Sequence, residues 1–353
     1  MHRKTYAQIN LENLYQNYCN IQDRTNGKII IPVVKANAYG HGAIEVVKYL
    51  VDMGIDYYAV SLVEEALELR KNHKNIDILI MGVTHKEDFE ICAKNNFTVT
   101  ISNMDQIDGL MELNQMLKVH IKIDSGMHRL GFVEDKEIIG AITFMKNHHY
   151  IDLIGIYTHF ATADGDLDYY HLQRKRFEEV LKLINHDFKM IHASNSSSSI
   201  KYEKEMKFTT HARVGISLYG LTLDEGMDFL LNTYRLCTHV AEIKHLKKGE
   251  KLGYGITYTA KKDEVIGVLP IGYADGFIRA NQNGDVEIKG KRYQIVGRIC
   301  MDQLFIRIDE SITKKDQVVL FGGLVTIDEV AERLDTINYE VICQITYRVP
   351  KIY

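Results

Sequence analysis

The chain has little of what would take it out of an ordinary reducing, aqueous setting. Its five cysteines (Cys19, Cys92, Cys237, Cys300 and Cys343) are scattered and odd in number, and no Cys-x-x-Cys pair occurs. Neither a disulfide framework nor a zinc site is suggested. No apolar run is long enough to span a bilayer, and Met1-His2-Arg3-Lys4-Thr5-Tyr6 carries no apolar signal region. The expectation is therefore a cytoplasmic protein, in which Asn195-Ser196-Ser197 is not a glycosylation site. An excess of basic residues is missing too. A net charge of -4 gives no positive field for nucleic acid or an anionic membrane. Internal repeats and low-complexity linkers are also absent.

What is present fits a folded chain with a sizeable core: 46% hydrophobic and 25% charged residues over 353 positions. That length suggests two domains, or a barrel with an addition. Eight short apolar segments alternate with helical patterns. They begin at Ile29-Ile30-Ile31-Pro32-Val33-Val34 and continue through 57–60, 77–81, 97–101, 118–124, 154–158, 190–193 and 212–214. This alternation predicts a (β/α)8 barrel over residues 1–225. Ser61-Leu62-Val63-Glu64 reads as a capping box opening the third helix. Beyond about residue 225 the pattern becomes strands separated by turns such as Lys248-Gly249-Glu250. Residues 226–353 are thus expected to form a mostly β domain.

In such a barrel, chemistry belongs at the C-terminal ends of the strands. Lys35 stands there, after a strand whose apolar neighbours favour its neutral amine. A neutral amine attacks carbonyls and forms Schiff bases. Gly40 and Gly42 permit a tight turn behind it. Later strands run into Asp124-Ser125-Gly126-Met127-His128-Arg129, Thr158-His159-Phe160, His192-Ala193-Ser194-Asn195-Ser196 and Arg213-Val214-Gly215-Ile216. Loops after the seventh and eighth strands often bind phosphate on backbone amides, which suits Ser196, Gly215 and Ile216. Nothing spaces His159 and His192 as metal ligands, so no metal is expected.

Val33-Val34-Lys35-Ala36-Asn37-Ala38-Tyr39-Gly40-His41-Gly42 resembles the pyridoxal-phosphate (PLP) attachment motif of alanine racemases. Tyr157-Thr158-His159-Phe160-Ala161-Thr162-Ala163-Asp164, Arg213-Val214-Gly215-Ile216, Gly253-Tyr254-Gly255, Pro270-Ile271-Gly272-Tyr273-Ala274-Asp275-Gly276, Gly297-Arg298-Ile299-Cys300-Met301-Asp302-Gln303 and Ile337-Asn338-Tyr339-Glu340 resemble further motifs of that family, in its order. The resemblance implies a PLP barrel, a C-terminal β domain and a head-to-tail homodimer with shared active sites. It implies interconversion of L- and D-alanine, which supplies peptidoglycan.

By the same resemblance Lys35 holds PLP and serves as one base, and Tyr254 of the partner chain serves as the other. Arg213 faces the pyridine nitrogen. Tyr39, Ser196, Gly215, Ile216 and Tyr339 contact the phosphate, and His159 stacks near the ring. Arg129 lies near the substrate carboxylate, and Lys122 matches a lysine carbamylated in many relatives. Met301, Tyr273 and Asp302 of the partner chain surround the substrate and its entrance. Two alternatives stand beside this reading. One is a racemase of the same fold acting on serine or other amino acids, or a basic amino-acid decarboxylase; crowding by Tyr254, Tyr273 and Tyr339 argues for a small side chain. The other is a PLP carrier without catalysis, against which the second domain argues.

Overall fold

The computed structural model of the chain describes residues 3–353. It divides into two compact units. One holds Leu14–Ala38 and Gly42–Leu231; the other holds the residues up to Asn13, Tyr39–His41 and Asn232–Tyr353.

The first unit is built on eight parallel strands: Ile29–Pro32, Tyr57–Val60, Asp77–Ile80, Thr98–Ile101, Leu117–Lys122, Ile151–Tyr157, Met190–His192 and His211–Val214. Successive strands are spatial neighbours, and the eighth pairs with the first, Ile31 opposite Arg213. A bridge between Val33 and Ala59, with Val34 N–H donating to the Ala59 carbonyl at 2.8 Å, joins the first strand to the second and closes the ring. These segments are strands because most are short, largely apolar runs covered on both faces. Ile31, Val60, Ile80, Val99, Ile121, Ile156 and Val214 are all fully buried. Helices cover the outside. Leu167–Leu183, for example, buries Tyr170, Gln173, Phe177 and Val180 along one stripe. Asp166 caps it, accepting from Tyr169 N–H at 3.0 Å. The expected barrel is present, and all eight strands fall close to their expected positions.

The second unit is a nine-stranded sheet in the spatial order Glu242–Leu246, Glu264–Leu269, Leu304–Ile308, Lys291–Val296, Asp285–Ile288, Gln317–Phe321, Tyr234–His239, Tyr6–Ile9 and Lys351–Ile352. All its pairings are antiparallel except the last, in which Ala7 lies beside Lys351. The mostly β character matches expectation. Several elements do not follow from the pattern along the chain. The opening strand belongs to this sheet rather than to the barrel. Tyr234–His239 is a strand, and Asn338–Cys343 is a helix. Among the described residues, no helix is long and apolar enough to cross a membrane.

The capping box also departs from expectation by one residue. The helix Val63–Asn72 has Leu62 at its N-cap, and Glu65 rather than Glu64 accepts the free amides, from Ser61 at 2.9 Å and Leu62 at 3.1 Å. Ser61 is unavailable as a cap because its carbonyl is committed to the next strand, where Gly82 N–H donates to it at 3.2 Å. A Cβ on Gly82 would lie 2.3 Å from that oxygen, so the approach requires glycine.

Candidate active site

The barrel gathers cations at the C-terminal ends of its strands. Lys35, Lys122, Arg129 and Arg213 all act electrostatically on His159; with burial as the larger cause, they hold its imidazole well below the usual histidine range. His159 is therefore neutral at pH 7.

Arg213 is 3% exposed. Its guanidinium donates to the carbonyls of Thr158 at 2.7 Å, Ala193 at 3.1 Å and His192 at 3.3 Å, to His159 Nδ1 at 3.3 Å and to His192 Nδ1. Burial lowers its pKa to about 10, which leaves it charged near neutrality. A guanidinium has no acceptor, so His192 Nδ1 must accept. His192 then carries its proton on Nε2 and donates to His120 Nδ1 at 2.9 Å. His120 in turn keeps its proton on Nε2, packed against Gly155, where a Cβ would meet the ring at 2.5 Å. That nitrogen has no hydrogen-bond partner among the described residues. Burial is the main cause that drops the His120 pKa to about 3, so the relay holds neutral rings. Tyr157 stacks on His192, with centroids 4.7 Å apart, and presents its face to Arg213 at 5.0 Å and to Lys122 at 4.8 Å.

Lys122 is buried. Desolvation first, then Arg213 and Arg129, lower its pKa to about 7. Arg129 is exposed, but its backbone is held: Asp124 accepts from the amides of Gly126, His128 and Arg129 at 2.9, 3.0 and 3.1 Å. Burial pushes the Asp124 carboxyl up, and these three amides outweigh it and hold the group below the usual carboxylate range.

At the seventh and eighth strands, Ser196 opens a helix at 196–201 and Ile216 opens a single 3-10 turn at 216–219. Gly215 N–H donates to Ser196 Oγ at 3.1 Å, which leaves the hydroxyl proton free to donate outward. The run of serines is therefore not a solvated loop; Ser196, Ser198 and Ser199 are buried.

These residues fit PLP. The ligand is a phosphate ester with an aldehyde for an amine. Among the described residues, no carboxylate lies within ion-pair distance of Arg213 or Lys122, both buried. Buried charge without a partner is costly, and an anionic ligand compensates it.

Lys35 precedes an unusual backbone. Ala36, Asn37, Ala38 and Tyr39 have φ of 51°, 53°, 53° and 51°, a left-handed turn made without glycine. Each such residue costs about 1–2 kcal/mol. Gly40 and Gly42 continue it at φ 82° and 97°. Within the barrel unit this turn is tied by Ala38 N–H to the Val34 carbonyl, Gly42 N–H to the Asn37 carbonyl, Ala43 N–H to Asn37 Oδ1 at 2.8 Å, and Ala36 N–H to Glu65 Oε1 at 2.6 Å. The sequence reading did not find Glu65; its only signal is an acidic residue three positions after a leucine that cannot cap.

The remaining residues lie in the second unit. Tyr39 and Tyr339 approach with ring centroids 6.2 Å apart. Gly40 makes room there, since a Cβ on it would lie 2.5 Å from the Ile342 carbonyl. Tyr254 sits exposed at the tip of a turn between Gly253 and Gly255, with φ of 68° and 69°. The Arg298 guanidinium covers Gly255 so closely that a Cβ would meet it at 2.7 Å. Tyr273 and Met301 are brought side by side: Tyr273 N–H donates to the Cys300 carbonyl at 3.1 Å and Ala274 N–H to that of Met301 at 3.0 Å. Buried Asp275 anchors this pair of segments, accepting from Gly272 N–H at 3.1 Å and from Arg3 at 2.8 and 2.9 Å. Asp302 accepts from Arg348 at 2.7 Å.

Residues 9–223 match the family model for the alanine racemase N-terminal domain, and residues 233–353 match that for the C-terminal domain. An alanine racemase of Listeria innocua is 39% identical, with 100% of this chain and 98% of that protein aligned. One from Anoxybacillus flavithermus is 38% identical over 100% of this chain and 95% of its own length. Among solved structures, the alanine racemase of E. faecalis superposes with a TM-score of 0.95 at 35% identity, covering 100% of this chain and 98% of the other. That of Bacillus anthracis, with bound L-Ala-P, gives 0.93 at 34% identity, covering 100% and 95%. With both halves matched and its relatives aligned end to end, the chain belongs to the alanine racemase family.

Proposed function

We propose that this chain is a PLP-dependent isomerase that interconverts L- and D-alanine. The observation that carries the reading is the gathering of Lys35, Lys122, Arg129 and Arg213 around a neutral His159, with no carboxylate among the described residues within ion-pair distance of the buried Arg213 or Lys122. PLP bound there supplies an electron sink for the pair left when the substrate loses its α-proton.

Lys35 binds the cofactor and, once released by substrate, moves the α-proton on one face. Tyr254 of a second copy of the chain holds or receives the proton on the opposite face, since inversion needs a group on each side. Arg213 stays protonated and would disfavour a proton on a pyridine nitrogen bound beside it, which would keep the sink weak and side reactions slow. The neutral relay through His192 and His120 keeps Arg213 oriented. Ser196, the amides of Gly215 and Ile216, Tyr39 and Tyr339 would hold the phosphate, and His159 would support the ring. Arg129 orients the substrate carboxylate, on a loop fixed by Asp124. Tyr273 and Met301 of a second copy would border the entrance and restrict the side chain to a small one. With its pKa lowered to about 7, Lys122 offers a neutral amine for reaction with carbon dioxide near neutrality, which would release a proton and place a carbamate anion in the field of Arg213 and Arg129. The active species is accordingly a homodimer in the cytoplasm, and its product serves peptidoglycan.

The test is a purified-protein assay of L-alanine conversion to D-alanine, coupled to borohydride reduction and peptide mapping. Racemisation with the reduced label on Lys35 is expected. A label on another lysine, or conversion of serine faster than alanine, would overturn the reading.

A further inference from the structure

The geometry points to Glu65 as a positioning residue for Lys35, acting through the peptide that joins Lys35 to Ala36. This rests on the reading of Lys35 as the cofactor lysine.

The backbone changes hand at that peptide. Lys35 is not among the residues with positive φ, and the next four are all left-handed without being glycine. A strained run of this kind persists only where its surroundings over-determine it. The one donor of the Lys35–Ala36 peptide is Ala36 N–H, and its acceptor is Glu65 Oε1 at 2.6 Å. Fixing that N–H fixes the peptide plane, and with it the ψ of Lys35 and the direction in which its side chain leaves the strand. Glu65 divides its oxygens between two tasks. Oε1 holds the lysine turn, while Oε2 takes the amides of Ser61 and Leu62 that open its own helix at 63–72. The carboxylate thus ties the end of the first barrel strand to the start of a helix following the second. The bond is charge-assisted and among the shortest to a backbone amide in the barrel. Removing it leaves the other ties on the turn, from Ala38, Gly42 and Ala43, in place. The turn survives, and the peptide beside Lys35 is free to rotate.

The experiment uses the PLP-loaded dimer of the wild type, Glu65→Ala, Glu65→Gln and the double variant Leu62→Ser/Glu65→Ala. Leu62 already has the extended backbone of an N-cap, φ -120° and ψ 153°, so a serine there restores helix capping without reaching Ala36. For Glu65→Ala the expected results are a PLP dissociation constant raised about tenfold, a kcat lowered about tenfold with little change in KM, and faster hydrogen exchange at Ala36. The double variant should regain the melting temperature and none of the other three. Glu65→Gln keeps one acceptor oxygen for two tasks and should fall between. It serves as the test on its own if Glu65→Ala does not fold. An unchanged PLP dissociation constant in a folded Glu65 variant overturns the inference, as does full recovery by Leu62→Ser. Borohydride mapping of the wild type separates the two levels. A label on another lysine removes the functional reading and this role with it; a label on Lys35 with Glu65 variants unaffected removes this role alone.

Discussion

The residues assigned to the chemistry live in two contrasting settings. Around the histidine relay of the barrel they are buried and mutually engaged: Arg213 is 3% exposed and Lys122 4%. On the turns of the second unit three of them stand out into solvent: Tyr254 is 71% exposed, Met301 53% and Tyr273 40%. The first set is oriented by its own side-chain partners. The second is oriented by backbone, through glycine turns and carbonyl contacts, and its side chains have little to hold within the chain. Large apolar or aromatic side chains offered in this way suit use by another molecule, which is how the proposed dimer employs Tyr254. The contrast implies that substitutions in the barrel change stability and activity together, while substitutions on the exposed turns change activity alone.

The largest effect should come from pairing one residue of each kind. Tyr254→Phe removes only an exposed hydroxyl. Racemisation should fall by about 10²–10⁴, with the unfolding free energy within about 0.5 kcal/mol of wild type. Lys35→Ala should be similarly inactive. After subunit exchange between the two, each heterodimer has one site lacking both groups and one intact site, so activity should return to about half of wild type. Exchange without recovery would show that the two groups do not meet between copies.

A smaller effect, of the opposite type, is expected at Arg213. Arg213→Lys keeps the charge and loses part of the fan of bonds to Thr158, Ala193, His192 and His159. Denaturant titration should show a loss of about 1–3 kcal/mol. Pyruvate formation per racemisation event should remain low, whereas Arg213→Glu should raise it. A lysine variant as stable as wild type would mean that the buried network does not carry the barrel side of the comparison.

The smallest effect concerns Lys122, whose pKa is lowered to about 7 from an ordinary 10.5. Between these values the unfolded chain holds a proton that the folded chain has lost. Stability from this group therefore rises with pH across that window and is fully penalised below it. In carbonate-free buffer, Lys122→Met should gain most over wild type near pH 6 and lose that advantage towards pH 10. A pH-independent difference would contradict a desolvated Lys122. With labelled bicarbonate, a carbon-13 carbamate signal should appear in the wild type and not in the variant.

Much of the barrel could be read along the chain because each parallel strand is buried on both faces. That writes the buried part of it as an apolar run, as at residues 30–32 or 78–80. The strand Tyr6–Ile9 is buried on alternate residues only, and its partners lie at Tyr234–His239 and Lys351–Ile352, beyond the reach of any local pattern. Ser61 is the better capping residue by type, yet its contact with Gly82 shifts the helix start to Leu62. The left-handed run at Ala36–Tyr39 has no sequence mark, because alanine and tyrosine disfavour that conformation. Only the neighbouring ties, such as Ala38 N–H to the Val34 carbonyl and Ala43 N–H to Asn37, make it stable. The relay from Arg213 through His192 to His120 was likewise hidden, since three residues from three strands meet only once the barrel closes.

The placement of Tyr6–Ile9 has a consequence for how the chain is made. This strand is translated before the barrel strands but lies between partners that are translated more than two hundred residues after it. The eight barrel strands, by contrast, are complete once His211–Val214 has emerged. The barrel is thus able to close during synthesis while the opening strand waits unpaired, and the nine-stranded sheet forms last. A stretch of backbone with both edges open must stay out of trouble for that interval, and the polar Gln8 and Asn10 in and beside it are suited to keeping it soluble.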